Sequence, residues 1–107
     1  MNNQIVAGID IHKDFLTVTI LRSKDTFTKE YSTRYRALVH LKRWLARLKV
    51  RKVAIEATGI YMVSCVDVLK DRFEIFMVNA ADVRHIPGKK TDVLDSAWLA
   101  LLLQKDL

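Results

Sequence analysis

Four acidic side chains carry the chemistry that this sequence suggests most clearly: Asp10, Glu56, Asp92 and Asp95. Asp10 follows a run of five uncharged residues, and Glu56 ends another short apolar run. An acid at the end of a buried strand is costly unless something compensates its charge. Carboxylates that converge raise one another's pKa, and hard cations such as Mg²⁺ or Mn²⁺ remove that penalty. Two such ions ~4 Å apart could activate a nucleophile and stabilise the leaving oxygen of a phosphodiester.

The elements that must position these acids can be predicted from hydrophobic periodicity and turn residues. Strands are expected at residues 4–10, 15–22, 26–31, 52–56 and 74–78, and helices at 36–49, 60–70 and from about Thr91 to Lys105. The first three strands are joined by turns too short for crossovers, so they must be antiparallel neighbours. Strands separated by helices should be parallel. The prediction is an α/β fold with a mixed five-stranded sheet of order 3-2-1-4-5, flanked by helices.

This topology explains how distant acids could meet. Strands one and four lie side by side, and the connections reverse direction there. Ligands of open α/β sheets bind beyond the carboxyl ends of the strands at such a switch point. Asp10 and Glu56, 46 positions apart, end those two strands. In the second strand, Leu16, Val18 and Ile20 alternate with threonines, so only one of its faces is expected to be buried.

Asp92 and Asp95 are three residues apart at the predicted start of the last helix, so they are expected to share a face. Helix capping is the alternative interpretation, with Asp92 as the N-cap, and it is the stronger one when the pair is considered alone. The combination with Asp10 and Glu56 changes that balance. If the last helix packs beside strands one and four, the four carboxylates converge.

Composition favours an anionic partner. The 107 residues suffice for one domain and carry 18 Lys and Arg against 12 Asp and Glu, a formal charge of +6. Nucleic acid is one such partner, and Arg84, Lys89 and Lys90 precede Asp92 where they could meet its backbone. The basic residues of the first helix form either a solvated face or a phosphate-contacting face.

Other classes of site are poorly supported. His12, His40 and His85 are widely spaced and show no zinc pattern, and there is no glycine-rich phosphate loop. Cys65 is the sole cysteine and is expected in the core. No apolar run reaches the ~18 residues of a membrane span, and no signal peptide precedes the first strand, so a cytoplasmic location is expected.

Three blocks of the sequence resemble a known family. They are residues 8–13 (GIDIHK), 56–61 (EATGIY) and 90–100 (KTDVLDSAWLA), and the linking segments 78–80 and 87–89 are also similar. In this order they resemble the DEDD transposases of the insertion sequence 110 family, over essentially the whole chain.

The resemblance implies a RuvC-like, ribonuclease H-type fold. It marks Asp10, Glu56, Asp92 and Asp95 as an acidic tetrad that binds Mg²⁺ or Mn²⁺. Family members are prokaryotic recombinases that excise and insert their element, act on DNA at the nucleoid, and are guided to targets by a bridge RNA. The full protein, expected to be a homo-oligomer, also has a C-terminal domain with a catalytic serine. Nothing in this chain corresponds to that domain, so an N-terminal fragment of a longer protein is expected.

Three functions remain in competition at this stage. The leading one is the metal-dependent catalytic domain of a transposase. The second is a nucleic-acid-binding and assembly module that is inactive without the C-terminal domain. The third is an actin-like or sugar-kinase-like ATPase, which also begins with a strand that ends in Gly-x-Asp. Such an ATPase needs a glycine-rich turn after that acid, and residues 11–14 contain no glycine.

Overall fold

The computed structural model describes residues 4–56, 59–78 and 95–105, which form five strands and three helices. In chain order they are β1 (Val6–Ile11), β2 (Phe15–Arg22), β3 (Asp25–Ser32), α1 (Tyr35–Arg47), β4 (Lys52–Glu56), α2 (Tyr61–Leu69), β5 (Glu74–Val78) and α3 (Ser96–Gln104). The predicted order of elements is confirmed. None of the helices in the described ranges is long and apolar enough to cross a membrane.

The strands form a single mixed sheet in the order β3-β2-β1-β4-β5. The pairs β1–β2 and β2–β3 are antiparallel, whereas β1–β4 and β4–β5 are parallel. This confirms the predicted topology. Short turns allow only antiparallel neighbours, whereas a helical crossover returns the chain to the sheet as a parallel strand.

One face of the sheet packs against α1 and α2. Alternate strand residues point to this side, and α1 adds an apolar stripe at spacings of three and four. The buried members include Ala7, Ile9, Val18, Ile20, Val53 and Ile55 from the strands and Leu38, Leu41, Trp44 and Leu45 from α1. Leucines thus form the buried side of this helix, and the predicted burial of Cys65 is confirmed in α2.

The opposite face is covered by α3. Val6 of β1 and Ala54 of β4 pack there against Leu99, Leu102 and Leu103. The expectation that β2 buries only one face is wrong at Thr19, whose side chain is buried. Its hydroxyl meets a hydroxyl of α3, which supplies the polar partner that a buried threonine requires. β1 is thus covered on both faces, as the apolar run that precedes Asp10 requires.

Candidate active site at the carboxyl ends of β1 and β4

Asp10 is the penultimate residue of β1, and its side chain is largely buried, with 14% exposed. The Nε2 atom of His12 lies 3.2 Å from Asp10 Oδ2 and donates a hydrogen bond to it. His12 is itself held by stacking on Phe15, with ring centroids 4.6 Å apart, and by a 2.8 Å hydrogen bond from its backbone N–H to the Phe15 carbonyl. The imidazole therefore fixes one oxygen of the Asp10 carboxylate. His12 is exposed, and sequence reasoning missed its contact with Asp10.

Glu56 is the last residue of β4 and is partly buried. The parallel register pairs Gly8 with Ala54 and Ile9 with Ile55. Side chains alternate between faces along a strand, so Asp10, two residues after Gly8, lies on the same face as Glu56, two residues after Ala54. The structure therefore brings both acids to one face at neighbouring strand ends, as the topology predicted.

Gly8 allows α3 to lie directly on β1. A Cβ atom at this position would be 2.2 Å from the Ser96 carbonyl oxygen and 2.5 Å from the Ala100 nitrogen. Backbone atoms cannot move aside as a flexible side chain would, so a residue with a Cβ does not fit here without displacing α3. Gly8 thus lets the first turn of α3 pack on β1 only two residues before Asp10.

A buried pair of hydroxyls fixes the first turn of α3. Ser96 Oγ lies 2.7 Å from Thr19 Oγ1, and Thr19 in turn lies 3.1 Å from the hydroxyl of Thr28. Thr19 is the register partner of Gly8, so this contact is on the face that carries Asp10. It holds the start of α3, which directly follows Asp95, over Gly8 of β1.

Asp95 caps α3. Its backbone is extended, with φ −89° and ψ 171°, and its Oδ1 accepts a 2.8 Å hydrogen bond from the Trp98 N–H. The predicted start of the last helix near Thr91 is therefore wrong, because α3 begins at Ser96 and Asp95 precedes it. Asp95 is thus the N-cap of α3 rather than a residue within the helix. A carboxylate has two oxygens, so capping through one does not prevent ligation through the other.

Several predicted site residues lie outside the described ranges: Asp92, Arg84, Lys89 and Lys90. Their roles stay predictions. Within the described part of the chain, no three His, Cys, Asp or Glu side chains are grouped as a metal site. Asp10 and Glu56 nevertheless lie on the α3 face of the sheet at neighbouring strand ends, and Asp95 caps the helix that covers this face. Such a set of carboxylates fits a hard divalent cation with oxygen ligands.

Burial argues against Cys65 and Ser96 as catalytic nucleophiles. Burial raises the pKa of the Cys65 thiol to about 12, so the reactive thiolate is scarce at neutral pH. Ser96 is buried against Thr19. Ser64 is exposed on α2.

A comparison with protein families shows to which family this chain belongs. The model of the DEDD transposases of insertion sequence 110, described as a transposase, matches residues 7–107. This chain belongs to that transposase family. No curated protein matches the sequence.

Solved structures support a RuvC-like fold for this transposase domain. Fowlpox virus resolvase, solved with Holliday junction DNA, is 14% identical with a TM-score of 0.60, over 95% of this chain and 97% of the resolvase. T. thermophilus RuvC, solved with a Holliday junction substrate, is 14% identical with a TM-score of 0.56, over 94% and 88% of the two chains.

A protein of actin-like ATPase fold is about as similar in structure, so the fold alone does not separate a transposase from an ATPase. A Bacteroides thetaiotaomicron protein of actin-like ATPase fold is 13% identical with a TM-score of 0.58, over 73% of this chain. The match covers 34% of that protein, so the transposase domain spans about a third of its length. All these identities are low enough that the likeness concerns the fold only. The family match, rather than the fold, favours a transposase over an ATPase.

Proposed function

We propose that this domain cleaves and transfers DNA strands during transposition, with divalent metal ions bound at the carboxyl ends of β1 and β4. The proposal is supported by Asp10 and Glu56, which lie on one face of the sheet at neighbouring strand ends, and by Asp95 at the start of the helix that covers this face, in a chain of the transposase family. Acids from three separate elements would repel each other there without compensation. Capping explains Asp95 alone, but it does not explain acids at both neighbouring strand ends.

The side chains of this chain have defined tasks in the proposal. Asp10, Glu56, Asp92 and Asp95 hold Mg²⁺ or Mn²⁺ through carboxylate oxygens. The bound ions supply charge neutralisation for the phosphodiester and lower the pKa of the attacking group. His12 orients Asp10, in the way that hydrogen-bond partners beyond the ligands commonly fix metal-binding carboxylates. The hydroxyls of Ser96 and Thr19 keep Asp95 at the site by fixing the first turn of α3.

The partners follow from charge and from the family. The formal charge of +6 favours DNA, and both resolvases named above were solved with Holliday junctions. Arg84, Lys89 and Lys90 are proposed to contact the DNA backbone, and action on chromosomal DNA puts the protein at the nucleoid. A bridge RNA, a homo-oligomer and a C-terminal domain with a catalytic serine belong to the same proposal. The alternative is that the 107-residue chain is a nucleic-acid-binding and assembly module that is inactive without that domain.

Calorimetric titration with Mg²⁺ and Mn²⁺, with and without a branched DNA junction, tests the metal site. The wild-type chain should bind metal, and Asp10→Asn and Glu56→Gln should each weaken that binding at least tenfold. Asp14→Asn is the matched control, because Asp14 is an exposed acid in the turn that follows β1. It should bind metal as the wild type does. Absence of binding at millimolar metal, even with DNA, would defeat the metal proposal.

Cleavage separates the catalytic proposal from the assembly alternative. The protein that includes the C-terminal domain should cut or exchange strands of a junction in Mg²⁺, and Asp10→Asn should abolish this with the fold intact. Metal binding without cleavage in that longer protein would favour the assembly module.

A further inference from the structure

The segment around α1 has an unusual balance of charge. Residues 31–55 contain eight Lys or Arg residues, one His and no acid. The rest of the chain therefore contains all 12 Asp and Glu residues. A solvated helix typically mixes charges of both signs along its exposed face, often as pairs four residues apart. A solvated helix face therefore does not explain why residues 31–55 contain basic residues and no acid.

Four of these residues form a basic stripe along α1: Arg36, His40, Arg43 and Arg47. All four are exposed. At 3.6 residues per turn, their spacings of four, three and four put them within an arc of about 60°, and the stripe is about 16 Å long. The apolar side of the same helix, which includes Leu38 and Leu45, is buried against the sheet.

The basic stripe is not neutralised by acids of the described residues. The ion pairs found there use other cations: Lys42 with Asp71 at 2.8 Å, Lys70 with Asp67 at 2.9 Å and Arg22 with Asp25 at 3.8 Å. Lys29 of β3 adds a further cation beside the stripe. Its Nζ atom lies 4.7 Å from the centre of the Trp44 ring of α1. The positive surface therefore continues from α1 onto the edge strand.

This arrangement works against the stability of α1 itself. Arg43 and Arg47 are like charges four residues apart, which destabilise a helix. The first turn contains Arg36 and no acid, opposite to the preference of the helix dipole, and Arg34 at the N-cap makes no side-chain capping bond. A polyanion bound along the stripe would relieve both effects.

The basic stripe also lies away from the acidic site. α1 packs on the face of the sheet that carries Ile9 and Ile55, whereas Asp10, Glu56 and α3 belong to the opposite face. A straight DNA segment cannot lie along the outer side of α1 and at the same time enter the acidic site. We infer that the basic stripe binds the phosphate backbone of a DNA duplex segment other than the one that is cut. The choice of DNA rests on the proposed function.

The salt dependence of duplex binding tests this surface. The 107-residue chain is titrated into a short unbranched DNA duplex in EDTA, so that metal-dependent binding at the acidic site does not contribute. Each phosphate contact contributes about 0.9 to the slope of log K against log salt. The triple variant Arg36→Gln, Arg43→Gln and Arg47→Gln should therefore flatten that slope by about 2 to 3 and weaken binding at low salt at least tenfold.

A second triple variant controls for net charge. Lys24→Gln, Arg72→Gln and Lys105→Gln remove the same charge from exposed positions elsewhere, and should change the slope by less than about 1. The stripe variant should also melt at the same or a higher temperature in low salt, because like-charge repulsion is removed. Equal slopes for the two triples, or a loss seen with an RNA duplex and not with DNA, would overturn the inference. Because this titration contains EDTA, its outcome does not depend on metal at the acidic site, and failure of the metal proposal is recognised separately in the calorimetric titration.

Discussion

Asp95 has two separable tasks at the scale of single residues, because a cap and a metal ligand demand different chemistry. Asparagine caps a helix about as well as aspartate, whereas alanine costs about 1 kcal/mol. Asp95→Asn should therefore retain the stability of the metal-free protein and lose much of the stabilisation by Mg²⁺, which arises by mass action. Asp95→Ala should lose both. Urea unfolding with and without Mg²⁺ measures this, and a full Mg²⁺ response in Asp95→Asn would leave Asp95 as a cap only.

Asp10 gives a complementary prediction. An asparagine oxygen can still accept the hydrogen bond from His12, but the negative charge is removed. Without metal, Asp10→Asn should unfold at the same or a higher temperature than the wild type, because repulsion among the acids is relieved. With Mg²⁺, its thermal midpoint should rise much less than that of the wild type. A lower midpoint without metal would mean that the charge of Asp10 is already compensated by the protein itself.

The buried thiol of Cys65 should make the free energy of unfolding depend on pH. Burial raises the pKa of its thiol from the ordinary value of 9.0 to about 12. A raised pKa means that the contribution to stability is complete below about pH 9 and is lost as the pH rises towards 12. The free-energy difference between the wild type and Cys65→Ala should shrink over that range, by up to about 1.4 kcal/mol per pH unit. A constant difference between pH 8 and 11 in urea unfolding would contradict this.

At the scale of elements, the contact of β1 with α3 controls the site. Gly8→Ala puts a methyl group 2.2 Å from the Ser96 carbonyl oxygen, so α3 must shift. The amide protons of α3 should exchange faster, the protein should lose about 1–3 kcal/mol of stability as overpacked cores do, and metal affinity should fall. Hydrogen exchange and calorimetry measure these effects.

Gly59→Ala is the matched control for Gly8→Ala. A Cβ atom there meets nothing within 4 Å, but the residue has φ +55°. It should cost about 1–2 kcal/mol of backbone strain and leave the exchange of α3 unchanged. Unchanged α3 exchange in Gly8→Ala as well would show that the helix tolerates the methyl group.

The bounds of most strands were predictable from the sequence. The bounds of β2, β4 and β5 agree with the prediction, because short apolar runs between polar turns leave few alternatives. The start of α3 was not predictable, since Asp92 and Asp95 are both good caps and residues 93–94 continue the apolar pattern. The contact that fixes Ser96 is with Thr19, 77 positions away. The bond from His12 to Asp10 likewise depends on stacking with Phe15 across the turn.

At the scale of the whole molecule, stability should be highest at the middle of the sheet. β1 has strand neighbours on both sides and helices on both faces, whereas β3 is an edge strand with mostly exposed side chains. Native-state hydrogen exchange at rising denaturant should show β1 and β4 opening only with global unfolding, and β3 opening earlier. Exchange from β3 as slow as from β1 would contradict this.

The position of α3 in the chain also matters during synthesis. Proteins emerge from the ribosome with the N-terminus first, at about 5–20 residues per second. All five strands are therefore available before Ser96, and until then the side of β1 that carries Gly8 lacks its helical cover. A nascent sheet with Val6 and Ala54 uncovered is a natural substrate for chaperones. The acid site gains Asp95 only when the last described helix has docked, so a partly made chain would lack the complete set of acids proposed to cut DNA.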